Sequence, residues 1–136
     1  MNTGSWLVLL TLAISTVIGL IIHFRSGHIR KSVRVVQISE TELGKPLAQK
    51  ATFIQFSSAF CQPCRATKVL LGTLTQSAAG VGHIEIDAES HLDLVGKFHI
   101  TRTPTTLVVD AKGRIIGRAV GVPKKHEVLA TISALG

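Results

Sequence analysis

Residues 51–76 read ATFIQFSSAFCQPCRATKVLLGTLTQ, and the reading of this stretch decides the fold. Ala51 to Phe56 alternate in character and are rich in strand formers. Ser57 to Phe60 interrupt the pattern and predict a loop. From Cys61 to about Ser77, Val69, Leu70, Thr73 and Leu74 recur at helical spacing, which predicts a helix. A strand, a short loop and a helix that opens on a cysteine form the first half of a βαβ unit.

Downstream of this unit, Ala79, Gly80 and Gly82 break the helix, and Gly82 to Asp87 (GHIEID) predict a strand. His91 to Phe98 predict a short amphipathic helix with Leu92, Leu94, Val95 and Phe98 inward. Thr105 to Asp110 predict a strand, Ala111-Lys112-Gly113 a turn, and Arg114 to Val120 the hairpin partner. Pro123 to Leu135 read as a final helix facing inward with Val128, Leu129 and Ile132. Upstream, Val33 to Ile38 (VRVVQI) predict a first strand, and Ser39 to Lys50, with Gly44 and Pro46, a turn and a short helix. The order of elements predicts an α/β chain built on a mixed sheet.

Cys61 and Cys64 are the only cysteines among the 136 residues, so no other disulfide can staple the fold. Two cysteines three apart in one helical turn are close enough to form a disulfide. The first sits at a helix N-terminus, where unpaired N–H groups and the helix dipole favour an anion. That lowers its pKa and raises the fraction of thiolate, the nucleophilic form. Pro63 suits the first turn, where its missing N–H has no partner to lose. Cys61 is therefore the candidate nucleophile and Cys64 the resolving thiol of a disulfide exchange. The competing reading is a zinc site. It needs two further ligands, and the six histidines (23, 28, 83, 91, 99 and 126) show no close pairing that supplies them.

Trp6 to Phe24, WLVLLTLAISTVIGLIIHF, is 19 residues without a formal charge. As a helix it spans about 28 Å, near the thickness of a bilayer's hydrocarbon. A cleaved secretory signal would need a basic start and a small-residue cleavage site, whereas residues 2–5 are uncharged and the segment ends in Ile21-Ile22-His23-Phe24. A buried core helix is the other alternative, but the segment is apolar all round and longer than most core helices. The chain carries a net charge of +7. The excess is densest just after the apolar segment, with six basic and two acidic residues between 25 and 50. Arg25, Arg30, Lys31 and Arg34 place the C-terminal domain in the cytoplasm and the N-terminus outside by the positive-inside rule, the reverse being the alternative. The chain has no Tyr and a single Trp, Trp6, so aromatic platforms for nucleic acid are missing and nucleic-acid binding is not expected. The chain divides into an anchor (1–25), a basic linker with the first strand and helix (26–50, opening on a polar stretch from Ser26 to Ser32), and a core (51–136).

From about Ala51 to its end the chain resembles the thioredoxin family. FIQFSSAFCQPCRATKVLLGTL, HIEIDAESHLDLVGKFHITRTPTTLVVDAKGRIIGRAVG and the last helix carry the resemblance. It implies the thioredoxin fold, a mixed central sheet with helices on both faces. It also implies a cis peptide at Thr103-Pro104 facing the cysteines, with Thr103 offering its backbone to an extended substrate segment; an ordinary trans proline opening a strand is the alternative. Gly121 matches a family glycine beside the active surface, and Phe60, Gln62 and Pro63 join the expected substrate-contacting surface. Three departures are visible. Gln55 stands where the family usually has a buried Asp, and an amide cannot take a proton as a carboxylate does. Ser57 and Phe60 replace two tryptophans, and Gln62 replaces a glycine between the cysteines. The expected activity is reduction of protein disulfides, with electrons from a thioredoxin reductase or a membrane donor and no metal or organic cofactor. The alternatives are a membrane-tethered relay or client-binding module, and an extracytoplasmic oxidoreductase.

Overall fold

The computed structural model describes residues 2–31 and 36–136. In chain order the elements are α1 (Thr3–Arg25), β1 (Arg30–Lys31), α2 (Glu40–Leu43), β2 (Ala51–Ser57), α3 (Gln62–Gln76), β3 (Val81–Asp87), α4 (Leu92–Lys97), β4 (Thr105–Asp110), β5 (Ile115–Val120) and α5 (Lys125–Ala134). The five strands form one sheet in the order β1-β5-β4-β2-β3. The pair β2/β3 is parallel, joined through α3, and the other pairs are antiparallel, so the sheet is mixed as expected.

All seven residues of β2 are buried, because helices cover both faces of the central strands. Period-two alternation divides them. Phe53, with Val108 of β4, packs against Leu71 and Leu74 of α3 and Val128 of α5. Ile54 and Phe56, with Leu107 and Val109, pack against Ile84 and Ile86 of β3 and against Leu94 and Phe98. The two phenylalanine rings of that second layer, Phe56 and Phe98, lie 6.5 Å apart.

The helix faces differ from the periodicity reading. In α3 the buried residues are Cys64, Thr67, Leu71, Leu74 and Thr75. Val69 is 69% exposed and Thr73 is exposed, while Leu70 is half-buried. Cys64, held at the first turn by Cys61, points inward, and steps of three and four from it select this face. Thr67 and Thr75 tolerate burial because their hydroxyls donate to the carbonyls of Pro63 and Leu71 on their own helix, at 2.9 and 2.8 Å. In α4, Leu94 is buried and Leu92 is exposed; in α5, Val128 is buried and Leu129 is largely exposed.

The first-strand expectation falls partly on residues 33–35, outside the described residues. Gln37 forms a lone antiparallel bridge with Arg114, and the Ile38 amide donates to the Gly113 carbonyl at 2.9 Å. Ser39 and Glu42 then form a reciprocal capping box for α2. The Glu42 carboxylate also bonds Lys97 of α4, and this bond with that of the Ser39 amide lowers its pKa to about 2.

Ser26 to Lys31 is not a free linker. The Gly27 amide donates to the Val120 carbonyl at 2.7 Å, and β1 pairs with β5, Arg30 opposite Arg118. Gly27 has φ +83, and a Cβ there would lie 2.2 Å from the Val122 carbonyl oxygen, so this contact admits only glycine. Glu127 of α5 accepts from the Ile29 amide at 2.8 Å and pairs with His28 at 2.5 Å. Burial pushes the Glu127 carboxyl up, but the Ile29 amide and His28 bring it below its usual range. The segment that follows α1 is thus docked on the sheet edge. Helix α1 itself has no buried residue and a mean hydropathy of 2.5 over its most apolar window. Among the described residues it is the one helix long and apolar enough to cross a membrane.

Candidate active site

Strand β2 delivers the chain to the sheet's C-terminal edge, and α3 starts there. Cys61 is the N-cap of α3, and its sulfur accepts the Cys64 amide at 3.2 Å. Cys61 and Cys64 form a disulfide with Cα atoms 5.2 Å apart. Cys61 is half-buried and Cys64 is 4% exposed, so the outer sulfur is the accessible one. Once reduced, Cys61 sits where the helix N-terminus stabilises a thiolate.

Gln62 and Pro63 are exposed in the first turn, and Phe60 is 97% exposed. Phe60 has φ +57, in the left-handed region that costs a bulky side chain about 1–2 kcal/mol. Thr103 comes from the loop before β4. Its hydroxyl bonds the Ser58 hydroxyl at 2.8 Å and lies 3.9 Å from the Cys61 sulfur. The Thr103-Pro104 peptide is cis. The Pro104 carbonyl accepts the Gly121 amide at 2.8 Å, which ties the proline loop to the end of β5. Gly121 is buried with φ +88, and a Cβ there would meet Ser26 Cβ at 3.5 Å. Ser26 and Gly27, just after α1, therefore cover this glycine. The structure brings Cys61, Cys64, Phe60 and Thr103 together; Gln62 and Pro63 join them on the exposed turn, and Gly121 lies behind Pro104.

Beneath Cys64 lies Gln55, fully buried. Its amide nitrogen donates to the Ser57 hydroxyl at 2.9 Å and the Cys64 carbonyl at 2.8 Å. Its amide oxygen is 3.0 Å from His83 Nε2. With the amide oriented by two acceptors, the oxygen faces the ring, so His83 carries its proton on Nε2. Burial holds the His83 pKa below its usual value; Glu85 pulls it up, and Lys68 and Lys45 push it further down. Lys68 and Glu85 pair at 3.4 Å at the mouth of a recess of about 240 Å³ that reaches Cys61 and Cys64.

Ser58 and His83 were not legible as site residues. Ser58 is 45 residues from Thr103, and His83 is 28 residues from Gln55. The one local signal for His83 is alternation in GHIEID, which sets His83 and Glu85 on the face opposite Ile84 and Ile86. Among the described residues no group of three or more His, Cys, Asp or Glu is placed to hold a metal ion.

A family model described as Thioredoxin matches residues 34–134. Thioredoxin H2 of Arabidopsis thaliana is 27% identical over 88 residues, 65% of this chain and 65% of that protein. The chain thus spans just under two thirds of the plant protein's length. The thioredoxin of Pongo abelii is 27% identical over 86 residues, 63% of this chain and 80% of that protein. Among solved structures, the Malassezia sympodialis thioredoxin aligns with a TM-score of 0.58 at 21% identity, covering 79% of this chain and 94% of its own. Oxidised mitochondrial thioredoxin 3 of Saccharomyces cerevisiae aligns with a TM-score of 0.56 at 23% identity, covering 64% and 80%. These likenesses carry the fold.

Proposed function

The chain belongs to the thioredoxin family, and from that premise we propose that it is a membrane-tethered reductase of protein disulfides. The observation that carries this reading is the Cys61–Cys64 disulfide at the N-terminus of α3, with the outer sulfur facing Thr103.

The reaction has two exchanges. The Cys61 thiolate attacks one sulfur of a substrate disulfide, and the substrate's other sulfur leaves as a thiolate and takes up a proton. Cys64 then loses its proton and attacks Cys61, which releases the second substrate thiol and closes the Cys61–Cys64 disulfide. Two electrons have passed to the substrate, and a reductase or a membrane donor must return them. The backbone at Thr103 aligns an extended substrate segment, and Phe60 and Pro63 give it an apolar edge. Gln55 cannot accept the Cys64 proton. His83 is the group in its hydrogen-bond network that can titrate, and its neutral ring leaves Nδ1 as an acceptor.

Helix α1 crosses the membrane once, and the arginines after it keep the domain on the cytoplasmic side. A second reading is a relay that serves a partner in the same membrane. The covering of Gly121 by Ser26 and Gly27 favours it, since that side of the family's partner surface is closed to soluble clients.

The test uses the full chain in detergent with a disulfide-containing polypeptide and a dithiol reductant. Cys61→Ser should reduce turnover to background. Cys64→Ser should accumulate a mixed disulfide with the substrate, visible on a non-reducing gel. A wild-type chain without turnover, whose Cys64→Ser variant still traps a membrane protein in cells, would instead establish the relay.

A further inference from the structure

Where α1 meets the domain there is a cavity of about 380 Å³. Ile21 and Ile22 of α1 give it an apolar wall, and Arg25, Arg30, Arg102 and Arg118 line it together with Ser26, His28 and Val120. These arginines come from four places in the fold: the end of α1, β1, the loop before the cis proline, and β5. Among the described residues no Asp or Glu lines the cavity. The neighbouring carboxylate, Glu127, is already engaged by His28 and the Ile29 amide. The Arg118 guanidinium is steadied by the Phe98 and His99 carbonyls, and these neutral acceptors leave its charge uncompensated.

Four arginines around one cavity with no carboxylate in its lining suit an anion with several oxygens, since a guanidinium can donate paired hydrogen bonds to a phosphate. The apolar wall belongs to the last turns of the membrane-spanning helix, at the depth where phospholipid headgroups lie. We propose that this cavity binds the headgroup phosphate of an anionic phospholipid, with the lipid's glycerol and upper chains against Ile21 and Ile22. The proposal rests on the reading of α1 as a membrane span. Its consequence is orientation. Arg102 immediately precedes Thr103-Pro104, so a lipid held there draws the substrate loop and the Cys61 disulfide toward the bilayer surface. The redox site then faces thiols and disulfides of membrane-embedded partners.

The test is lipid binding to the delipidated full chain in detergent, read by native mass spectrometry with phosphatidylglycerol and phosphatidylcholine. Phosphatidylglycerol should be retained preferentially. The double variant Arg30→Gln with Arg102→Gln removes two exposed cavity arginines and should weaken that retention by about thirty-fold, from the typical contribution of one cation at a membrane surface. The control pair Lys31→Gln with Lys125→Gln removes the same charge, one of the two positions adjoining Arg30 but outside the cavity, and should leave retention nearly unchanged. Equal losses in both pairs overturn the proposal in favour of diffuse attraction. Equal retention of both lipids overturns it outright. Inorganic phosphate binding as tightly as the lipid replaces it with a free-phosphate site. Extraction of the wild-type chain from liposomes by alkali tests the span separately: a chain that extracts refutes the anchor and the lipid site together, whereas one that stays inserted without lipid preference refutes only the site.

Discussion

Phe60 and His83 lie close to the disulfide, and each carries a prediction at the scale of one residue. Phe60 is held in a left-handed backbone conformation with its ring in solvent, immediately before Cys61. On the proposed function the exposed ring would meet a partner. Phe60→Gly should raise stability by up to about 1 kcal/mol, the strain relieved exceeding the entropy added to the unfolded chain. The same change should slow reduction of a protein disulfide more than that of a small-molecule disulfide. Denaturant midpoints and paired rate measurements check both halves. His83 acts through protonation. Its pKa in the folded chain lies below the 6.5 of the free ring, chiefly because burial disfavours the cation. Below pH 6.5 the unfolded chain therefore binds the proton first, and stability rises with pH in that window. The contribution is complete above pH 6.5 and is lost as pH falls through the folded value. The wild type should thus lose more thermal stability between pH 7.5 and 5.5 than His83→Gln does, measured as melting midpoints across that range.

At the scale of elements, α3 is oriented by its chemistry. Of the four residues grouped by helical spacing, Val69 and Thr73 are left in solvent and Leu70 is half-buried, while Leu74 lies with Cys64, Thr67 and Leu71 on the buried face. A truncation pair tests this. Leu71→Ala should destabilise by roughly 2–5 kcal/mol, and Val69→Ala by no more than about 0.5 kcal/mol, in denaturant unfolding. Equal costs would mean that the helix packs with the face its periodicity suggests. In the hairpin of β4 and β5 a shift in register between Val108 and Val109 sets Ile115 opposite Val109, so Ile115 joins that residue's hydrophobic layer and Ile116 packs on the other. The contact between Pro104 and Gly121 then joins the start of β4 to the end of β5 beside the disulfide.

For the molecule as a whole, the decisive feature is the rigid junction between α1 and the domain. Gly27, β1 and Glu127 fasten the chain within a few residues of the apolar helix, which, on the proposed reading of α1 as a membrane span, would keep the redox site near the bilayer. The proposed span and its orientation are open to direct measurement because the only cysteines are Cys61 and Cys64. After gentle reduction, a membrane-impermeant maleimide should label the chain in lysed cells and not in intact ones, with Cys61→Ser/Cys64→Ser as background. Labelling of intact cells would reverse the assignment and place the disulfide traffic outside.

The elements of the domain from β2 onward could be read along the chain, because β2, β4 and the CxxC turn are each specified by a few adjacent residues. Cys61 and Cys64 could be read as a candidate redox pair for the same reason: a cysteine pair at helical spacing has few other uses in a chain with no further ligands nearby, and the resemblance added Phe60, Gln62 and Pro63 as expected contacts. Helix boundaries followed from breakers such as Gly80 and Gly82. Three things were decided only by tertiary structure. The inward face of α3 depends on where Cys64 is held, which no periodicity encodes. The partner of Gln55 depends on parallel pairing of β2 with β3, which brings His83 alongside from 28 residues away. The basic stretch after α1 read as a solvated linker because charge alone is ambiguous; pairing with β5 and the Glu127 carboxylate turned it into part of the fold.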